Sequence, residues 1–303
     1  MINPLKLGII GVSTGNGHPY SWAAIFNGYN ENYMHDCPYP MIYDYLKRQV
    51  FPDDTIKEAN VTHIWTNDRQ QSEQIARASN IPNVVNELEE MIGSVDAVLL
   101  ARDDWENHIT YASLFLKAGL PIYIDKPLAT TLKGAHELLL LQQYNWQIFS
   151  CSALRYAKEF KLSGTDLSEL GEVKFIEATV PKSWDKYAVH VIEPICCILN
   201  INDLEIIDQQ IDKCEDVTRL NVTLNNGIVL CVTSFGSMTS DISIIIRGTM
   251  GIKNLVFEDS FFAFRESLKA FITGINQKRL IIPRNQTLSI VKLIELGHYE
   301  ERI

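Results

Sequence analysis

The sequence predicts an α/β chain in two parts, a doubly wound parallel sheet followed by a largely antiparallel sheet with helices on one face. Three observations predict it. Apolar runs of strand length alternate with helical periodicity from residue 5 to 153. After Arg155 six strand-like segments follow one another with few helices between them. The stretch from Val95 to Ala129 reads as one complete strand, helix, parallel strand unit. With 303 residues the chain is long enough for two domains, and the change of texture divides it into residues 1–153 and 154–303.

Leu5–Val12 is a short apolar run, followed by Ser13-Thr14-Gly15-Asn16-Gly17-His18 and then by Trp22–Phe26, which opens a helix. Strand, glycine-rich turn and helix N-terminus together make an anion site, because free amides and the helix dipole point at a phosphate. The fit to G-x-G-x-x-G is imperfect: Gly11 takes the first place, Ser13 stands at the second, and Gly15 and Gly17 are displaced. Dinucleotide binding and a plain strand-to-helix turn both fit this loop. Residues 30–54 are long for a helix-to-strand connection and hold Pro38, Pro40 and a short helix at Met41–Arg48. They read either as a site lining or as a surface insertion packed by its own aromatics. Val61–Trp65 is the second strand, and Thr66-Asn67-Asp68-Arg69 follows it. In a dinucleotide fold an acid here binds the ribose hydroxyls and a base binds a 2'-phosphate. Both types occur, so NAD and NADP stay open.

Asn83–Val85 reads as a short strand and Leu88–Ile92 as a helical turn. Val95–Ala101 is an apolar run suited to a strand buried on both faces. Ile109, Ala112, Phe115 and Leu116 recur at helical spacing within Glu106–Ala118, and Gly119 marks the stop. Pro121–Ile124 returns as a strand, which puts Asp125-Lys126-Pro127 at its carboxyl end, where an open parallel sheet faces its ligand crevice. Arg102 and Asp103, ending the preceding strand, belong beside the same crevice. Leu132–Leu141 is a helix, and Gln147–Ala153 a strand leading to Arg155. In the second half the strands are Val173–Val180, Ile206–Ile211, Thr218–Leu224, Ile228–Ser234, Ile242–Arg247 and Ile252–Phe257, with a hairpin turn at Asn225-Asn226-Gly227. Helices are expected at Ala188–Leu199, Phe262–Asn276 and Gln286–Tyr299. Ile242–Ile246 places apolar residues on both faces of its strand, so an association surface on that sheet, in a homodimer or homotetramer, is expected.

A formal net charge of -10 without a basic cluster argues against nucleic acid or an anionic membrane as partner. The N-terminus lacks the basic, apolar and small-residue succession of a secretory leader, so cytoplasmic residence is the default. Six cysteines without a Cys-x-x-Cys pair read as reduced thiols, and no metal site is expected.

Several of these segments resemble the glucose-fructose oxidoreductase, inositol dehydrogenase and MocA group (Gfo/Idh/MocA). The likeness rests on the loop Gly11–His18 and on VDAVLLARDDWENHITYASLFLKAGLPIYIDKPLATT, similar to the family's strand-helix-strand leading into Glu-Lys-Pro. It continues through Ala153-Leu154-Arg155, through His190-Val191-Ile192-Glu193, like the family's His-x-x-Asp, and through Arg247–Gly251, like its Gly-Thr-x-Gly turn. The resemblance implies an N-terminal Rossmann domain, a C-terminal domain with a large open, mostly antiparallel sheet, and NAD(P)-dependent redox chemistry on sugars, cyclitols or sugar nucleotides. It implies that Lys126 touches the nicotinamide ribose and the substrate hydroxyl, and that His190 accepts the proton. Three positions depart from the pattern: Asp125 replaces Glu, Ser13 replaces the second loop glycine, and Lys186 stands at the family's Asp, with Asp185 adjacent but out of step.

Hydride transfer from an alcohol needs a proton acceptor and a cation that steadies the alkoxide. Lys126 and His190 suit those roles, with Lys186 as a further proton relay. The expected cofactor contacts are Gly11, Ser13, Thr14, Gly15, Gly17, His18, Thr66, Asn67, Arg69, Arg102, Asp103, Lys126 and Pro127. Arg155, Asp185 and Glu193 are expected on the substrate. His190 and Glu193 are three apart and share a helix face, so the carboxylate is expected to orient the imidazole. Arg155 either binds an anionic group or bridges the domains, and a buried structural histidine stays open for His190. The rival functional reading is a non-catalytic sensor of a dinucleotide or sugar on the same fold.

Overall fold

A computed structural model describes residues 3–298, which form two compact units. The first holds residues 3–128, His136–Ser150 and Phe264–Ile281; the second holds Ala129–Ala135, Cys151–Ala263 and residues 282–298. The division is discontinuous where the sequence reading drew one cut after residue 153.

In chain order the first unit runs β1 (Leu5–Ile10), α1 (His18–Asn27), α2 (Glu31–Met34), α3 (Pro40–Leu46), β2 (Ala59–Trp65), α4 (Arg69–Ala78), β3 (Asn83–Val84), β4 (Ala97–Leu100), α5 (His108–Lys117), β5 (Ile122–Ile124), α6 (Leu132–Leu140), whose first residues belong to the second unit, and β6 (Ile148–Phe149). All six strands are parallel, in the order β3-β2-β1-β4-β5-β6. That is the doubly wound order in which the β1 and β4 carboxyl ends flank the reversal of strand order. Burial on both faces explains the apolar runs: Ala97, Val98, Leu99 and Leu100 are all fully buried.

Two of the elements that differ from the sequence reading lie around the first sheet. Helix α4 was not expected, because only Ser72, Ile75, Ala76 and Ala78 are buried on it; its start is set by Asp68, whose side chain accepts the Gln70 N–H. β6 is shorter than Gln147–Ala153, since the Ser152 side chain accepts the Leu154 N–H and turns the chain into a 3-10 turn at Ala153–Tyr156.

The second unit continues with α7 (Gly164–Leu170), β7 (Val173–Val180), α8 (Trp184–Tyr187), α9 (Val189–Ile198), β8 (Ile206–Cys214), β9 (Val217–Leu224), β10 (Val229–Ser234), β11 (Ser243–Gly248), β12 (Ile252–Val256), α10 (Ser260–Gln277) and α11 (Arg284–Gly297). Its sheet has the order β12-β11-β7-β10-β9-β8, antiparallel except for the β7–β10 pair. One face is apolar and buried, through Ile176, Ala178, Leu220, Val222, Leu230, Val232, Ile244 and Ile246, with α9 and α11 packed in this unit. The opposite face is mixed rather than apolar: Ile245 lies opposite Glu177, which pairs with Arg247 at 3.3 Å. From Phe264 onward α10 belongs to the first unit, where Phe271 meets the rings of Tyr123 and Phe149. The expected end of the last helix at Tyr299 lies outside the described residues. Among these no helix is long and apolar enough to cross a membrane, and no group of three or more His, Cys, Asp or Glu is placed to hold a metal.

Candidate active site

The β1–α1 loop closes on itself. Asn16 N–H donates to the Ser13 carbonyl at 3.0 Å, and Gly15 takes a φ of 79°, which its lack of a Cβ permits. A Cβ on Gly11 would lie 2.1 Å from Pro19 Cγ, so glycine is required there by the first turn of α1. A Cβ on Gly17 would meet Tyr39 and Ile42, so the 30–54 segment is packed against the end of the loop.

The helix itself does not supply the anion donors that the sequence suggested. The His18 N–H is taken by Asn16 Oδ1 at 2.8 Å, Pro19 has none, and the Tyr20 N–H is taken by the Gly17 carbonyl at 3.0 Å. The amides of Thr14, Gly15 and Gly17 have no acceptor among the described residues. Thr14 and Gly15 are exposed, so the loop, rather than the helix end, leaves N–H groups open to an acceptor.

Two carboxylates at the ends of adjacent strands hold this loop. Asp125, 1% exposed, accepts from Asn16 Nδ2 at 2.8 Å and meets His18 Nδ1 at 2.6 Å on one oxygen. Its other oxygen accepts the Lys126 N–H at 2.8 Å. Burial alone would raise this carboxyl, but His18, Lys126 and Asn16 hold it well below the usual carboxylate range. The His18 ring also stacks on Trp22 at 5.1 Å and meets the edge of Phe264. Asp103 accepts from Ser13 Oγ at 2.6 Å, donates its own N–H back to Ser13 Oγ at 3.1 Å, and lies 3.6 Å from Lys126 Nζ. Ser13, Asp103 and Lys126 are all buried.

The residues after β2 separate into two groups. Arg102 forks onto Asp104 at 3.0 and 2.7 Å, donates to Asn67 Oδ1 at 2.6 Å, and lies over the Tyr111 ring. Arg69 is not part of this cluster; it turns to Glu73 and Asn86. Thr66 is buried, its amide and hydroxyl both engaged with Ser72, and Asp68 is used as the cap of α4. His108, which sequence reasoning passed over, is fully buried; its ring nitrogens lie 2.8 Å from the Arg102 carbonyl and 3.1 Å from that of Leu128. It thus joins the end of β4 to the turn through Lys126 and Pro127.

In the second unit Ser152 is the organiser, a role with no local sign in the sequence. Its Oγ lies 2.8 Å from His190 Nδ1, and its N–H donates to Glu193 Oε2 at 2.7 Å. The carboxylate expected to orient His190 therefore acts on Ser152 and on Arg155, whose Nη1 donates to it at 3.0 Å. Burial raises the Glu193 carboxyl, opposed by Arg155. Arg155 also reaches Gln286, so Arg155 and Glu193, two of the three groups expected on substrate, are engaged with each other and with groups inside the unit. Tyr187 presents its ring edge-on to His190 at 5.1 Å. Asp185 pairs with His298 at 2.9 Å, and Lys186 is half-buried on α8. Pro194 falls inside α9, leaving the His190 carbonyl without its helical N–H donor.

Residues 5–151 match the model of the GFO_IDH_MocA family, described as an oxidoreductase family with an NAD-binding Rossmann fold. Among solved structures, apo scyllo-inositol dehydrogenase from Lactobacillus casei is similar at a TM-score of 0.74 and 12% identity, covering 97% of this chain and 95% of that one. A UDP-N-acetylglucosamine 3-dehydrogenase from Acidithiobacillus ferrooxidans is similar at 0.70 and 13% identity, covering 98% and 97%. Biliverdin reductase from Synechocystis, solved with biliverdin and NADP+, is similar at 0.69 and 15% identity, covering 97% and 98%. Identities this low show a shared fold. No curated protein matches the sequence.

Proposed function

We propose that this chain, whose residues 5–151 match the model of the GFO_IDH_MocA family of NAD-binding oxidoreductases, is a member of that family and transfers hydride between NAD or NADP and a hydroxyl- or keto-bearing carbon of a sugar, cyclitol or sugar nucleotide. One observation carries the reading. A buried, ion-paired lysine, Lys126, ends β5 in the same unit as a strand-end loop whose amides lack acceptors. Those amides suit a pyrophosphate. Two of the three structural relatives bear the names of dehydrogenases of an inositol and of a sugar nucleotide, which supports the substrate class.

When bound, the nicotinamide supplies the hydride acceptor or donor. In this proposal Thr14, Gly15 and Gly17 bind phosphate through their N–H groups, and Arg102 with Asn67 lines the adenosine side. Lys126 donates to the substrate oxygen and steadies negative charge on it. His190, with Nδ1 engaged by Ser152, takes the hydroxyl proton at Nε2 in the oxidising direction and returns it in the reducing one. Cytoplasmic residence and a homodimer or homotetramer formed through the mixed face of the second sheet belong to the same reading.

The test is a screen of NAD+ and NADP+ against sugars, polyols and sugar nucleotides, followed by alanine variants with the substrate found. Lys126→Ala and His190→Ala should each lower turnover by roughly two to four powers of ten, with nucleotide affinity little changed. Full activity in His190→Ala with loss in Lys186→Ala would move the base to Lys186. The sensor reading is favoured by one observation, a lysine at 186 where the family has an acid. Nucleotide binding without turnover on any member of the panel would select it.

A further inference from the structure

We infer that Asp103 is a positioning residue, which fixes the Lys126 ammonium at the end of β5 and, through Ser13, ties it to the nucleotide loop. The inference rests on the reading that Lys126 works at the nicotinamide. β4 and β5 pair in parallel up to Leu100 and Ile124, so the residues just beyond them, Asp103 and Lys126, emerge at the same sheet end. Asp103 Oδ2 lies 3.6 Å from Lys126 Nζ, while Oδ1 accepts the Ser13 hydroxyl at 2.6 Å. The Asp103 N–H closes the ring onto Ser13 Oγ at 3.1 Å.

A serine at the second glycine position of the loop has a use in this arrangement. Its proton is committed to Asp103, so Ser13 acts on the carboxylate instead of on a phosphate. A lysine side chain with four rotatable bonds otherwise samples many rotamers, and ordering it is costly. A carboxylate that accepts the Ser13 hydroxyl, on a residue whose N–H is also bound to Ser13, confines Nζ to one place. Other charged and titratable groups near this pair have partners of their own. Asp125 faces the Lys126 N–H and His18, Arg102 is turned onto Asp104 and Asn67, and Tyr39 approaches from the 30–54 segment. Burial first, and then Cys37 and Asp103, push the Tyr39 phenol up, so it stays a neutral neighbour.

The experiment reads Lys126 itself and needs no substrate. Folded protein is pulsed with acetic anhydride and the extent of acetylation at Lys126 is followed by peptide mass spectrometry, with exposed Lys174 as internal reference. Acetylation requires the amine to leave the carboxylate that holds it, and loss of a charged partner changes such an equilibrium by a factor of about ten. Asp103→Asn should therefore raise the Lys126 rate about tenfold relative to Lys174, and Asp103→Glu should restore most of the slow rate. Ser13→Gly keeps the carboxylate but loses one hydrogen bond to it, and an increase of about fivefold is expected. An Asp103→Asn rate equal to wild type in protein with native circular dichroism overturns the inference. If that variant does not fold, Ser13→Gly decides, and a wild-type rate there overturns it equally. NADH and NADPH are added in a parallel series to wild type. If neither slows Lys126 acetylation, it is the nicotinamide reading that fails, whatever the variants do. With a substrate from the screen, Asp103→Asn should lower kcat while KM for the nucleotide stays within about threefold. The reverse split, weak nucleotide binding with kcat intact, would return Asp103 to a simple cofactor contact and overturn the positioning role.

Discussion

Replacing Gly11 by alanine separates the role of the loop glycine from the one its motif suggests. The added Cβ would lie 2.1 Å from Pro19 Cγ, 3.2 Å from Cδ and 3.3 Å from Cβ, all atoms of a ring that cannot rotate aside. To reach the 3.4 Å at which ordinary contact begins, the ring or the loop must retreat by about 1.3 Å. Pro19 is buried in α1, beside Tyr20 and Trp22 at 2% and 1% exposure, so the helix has little room to give. Overpacking of this kind costs about 1–3 kcal/mol. At about 2–4 °C per kcal/mol for a chain of this class, the thermal midpoint should fall by several degrees. The loop amides move with Gly11, so NADH affinity, measured by fluorescence titration, should fall about tenfold or more. A variant within 1 °C and within about twofold of wild-type affinity would refute the reasoning, because the clash then has an outlet that the packing does not contain.

Acid sensitivity should trace to Asp125. Its folded-state value is depressed, so its contribution is fully present above the ordinary carboxylate value of about 4 and is lost as pH falls below it. The thermal midpoint of Asp125→Asn should accordingly lie below wild type at pH 7 and converge on it in strongly acid solution; parallel acid profiles would count against this. Arg155→Met leaves Glu193, 2% exposed, without its cation, and should cost about 3 kcal/mol in denaturant unfolding at pH 8. The deficit should shrink toward pH 5, since burial already raises this carboxyl and a protonated acid needs no partner. Light scattering at micromolar concentration should give a dimer or tetramer, and a monomer would argue against association through the mixed sheet face.

The parts of this fold that were legible in the sequence are those set by burial over a continuous run. Ala97–Leu100, the centre of the run Val95–Ala101, had to be an interior strand because its residues are apolar on both faces, and Val173–Val180 had to be a half-buried one because its inward residues alternate. Helix α4 was not legible because few of its residues are buried, and β8 runs on past Ile211 because exposed polar residues extend a strand without leaving an apolar trace. The site shows the same limit. Lys126 and Asp103 could be placed at strand ends from topology alone. The bond that joins Asp103 to Ser13 spans ninety positions of sequence and has no local signature. Spacing put Glu193 and His190 on one helix face, yet it says nothing of Ser152, which reaches in from 41 positions before Glu193 and takes the carboxylate. Periodicity reports which way a side chain points; it does not report which distant group arrives there first.

Asp125 stands where the resembled family has glutamate, and its surroundings fit only the shorter acid. Lengthening the side chain by one methylene, Asp125→Glu, moves the carboxylate outward by about 1.5 Å, the length of one C–C bond. Three contacts of 2.6–2.8 Å meet it in its present position, from Asn16, His18 and the Lys126 N–H, at a site 1% exposed. His18 cannot step back, because its ring is stacked on Trp22 at 5.1 Å and edged by Phe264 at 5.0 Å, and Trp22 is itself 1% exposed. Asn16 is fixed in turn, since its Oδ1 holds the His18 N–H at 2.8 Å and its N–H the Ser13 carbonyl at 3.0 Å. The loop and the shorter acid are thus matched in length. Restoring the family residue alone should destabilise the protein by about 1–3 kcal/mol and weaken NADH binding together with it. Thermal unfolding and titration of the variant decide the matter: equal or higher stability would mean that the loop adapts freely to the acid, and that the Asn16–His18–Asp125 cluster does not set its position.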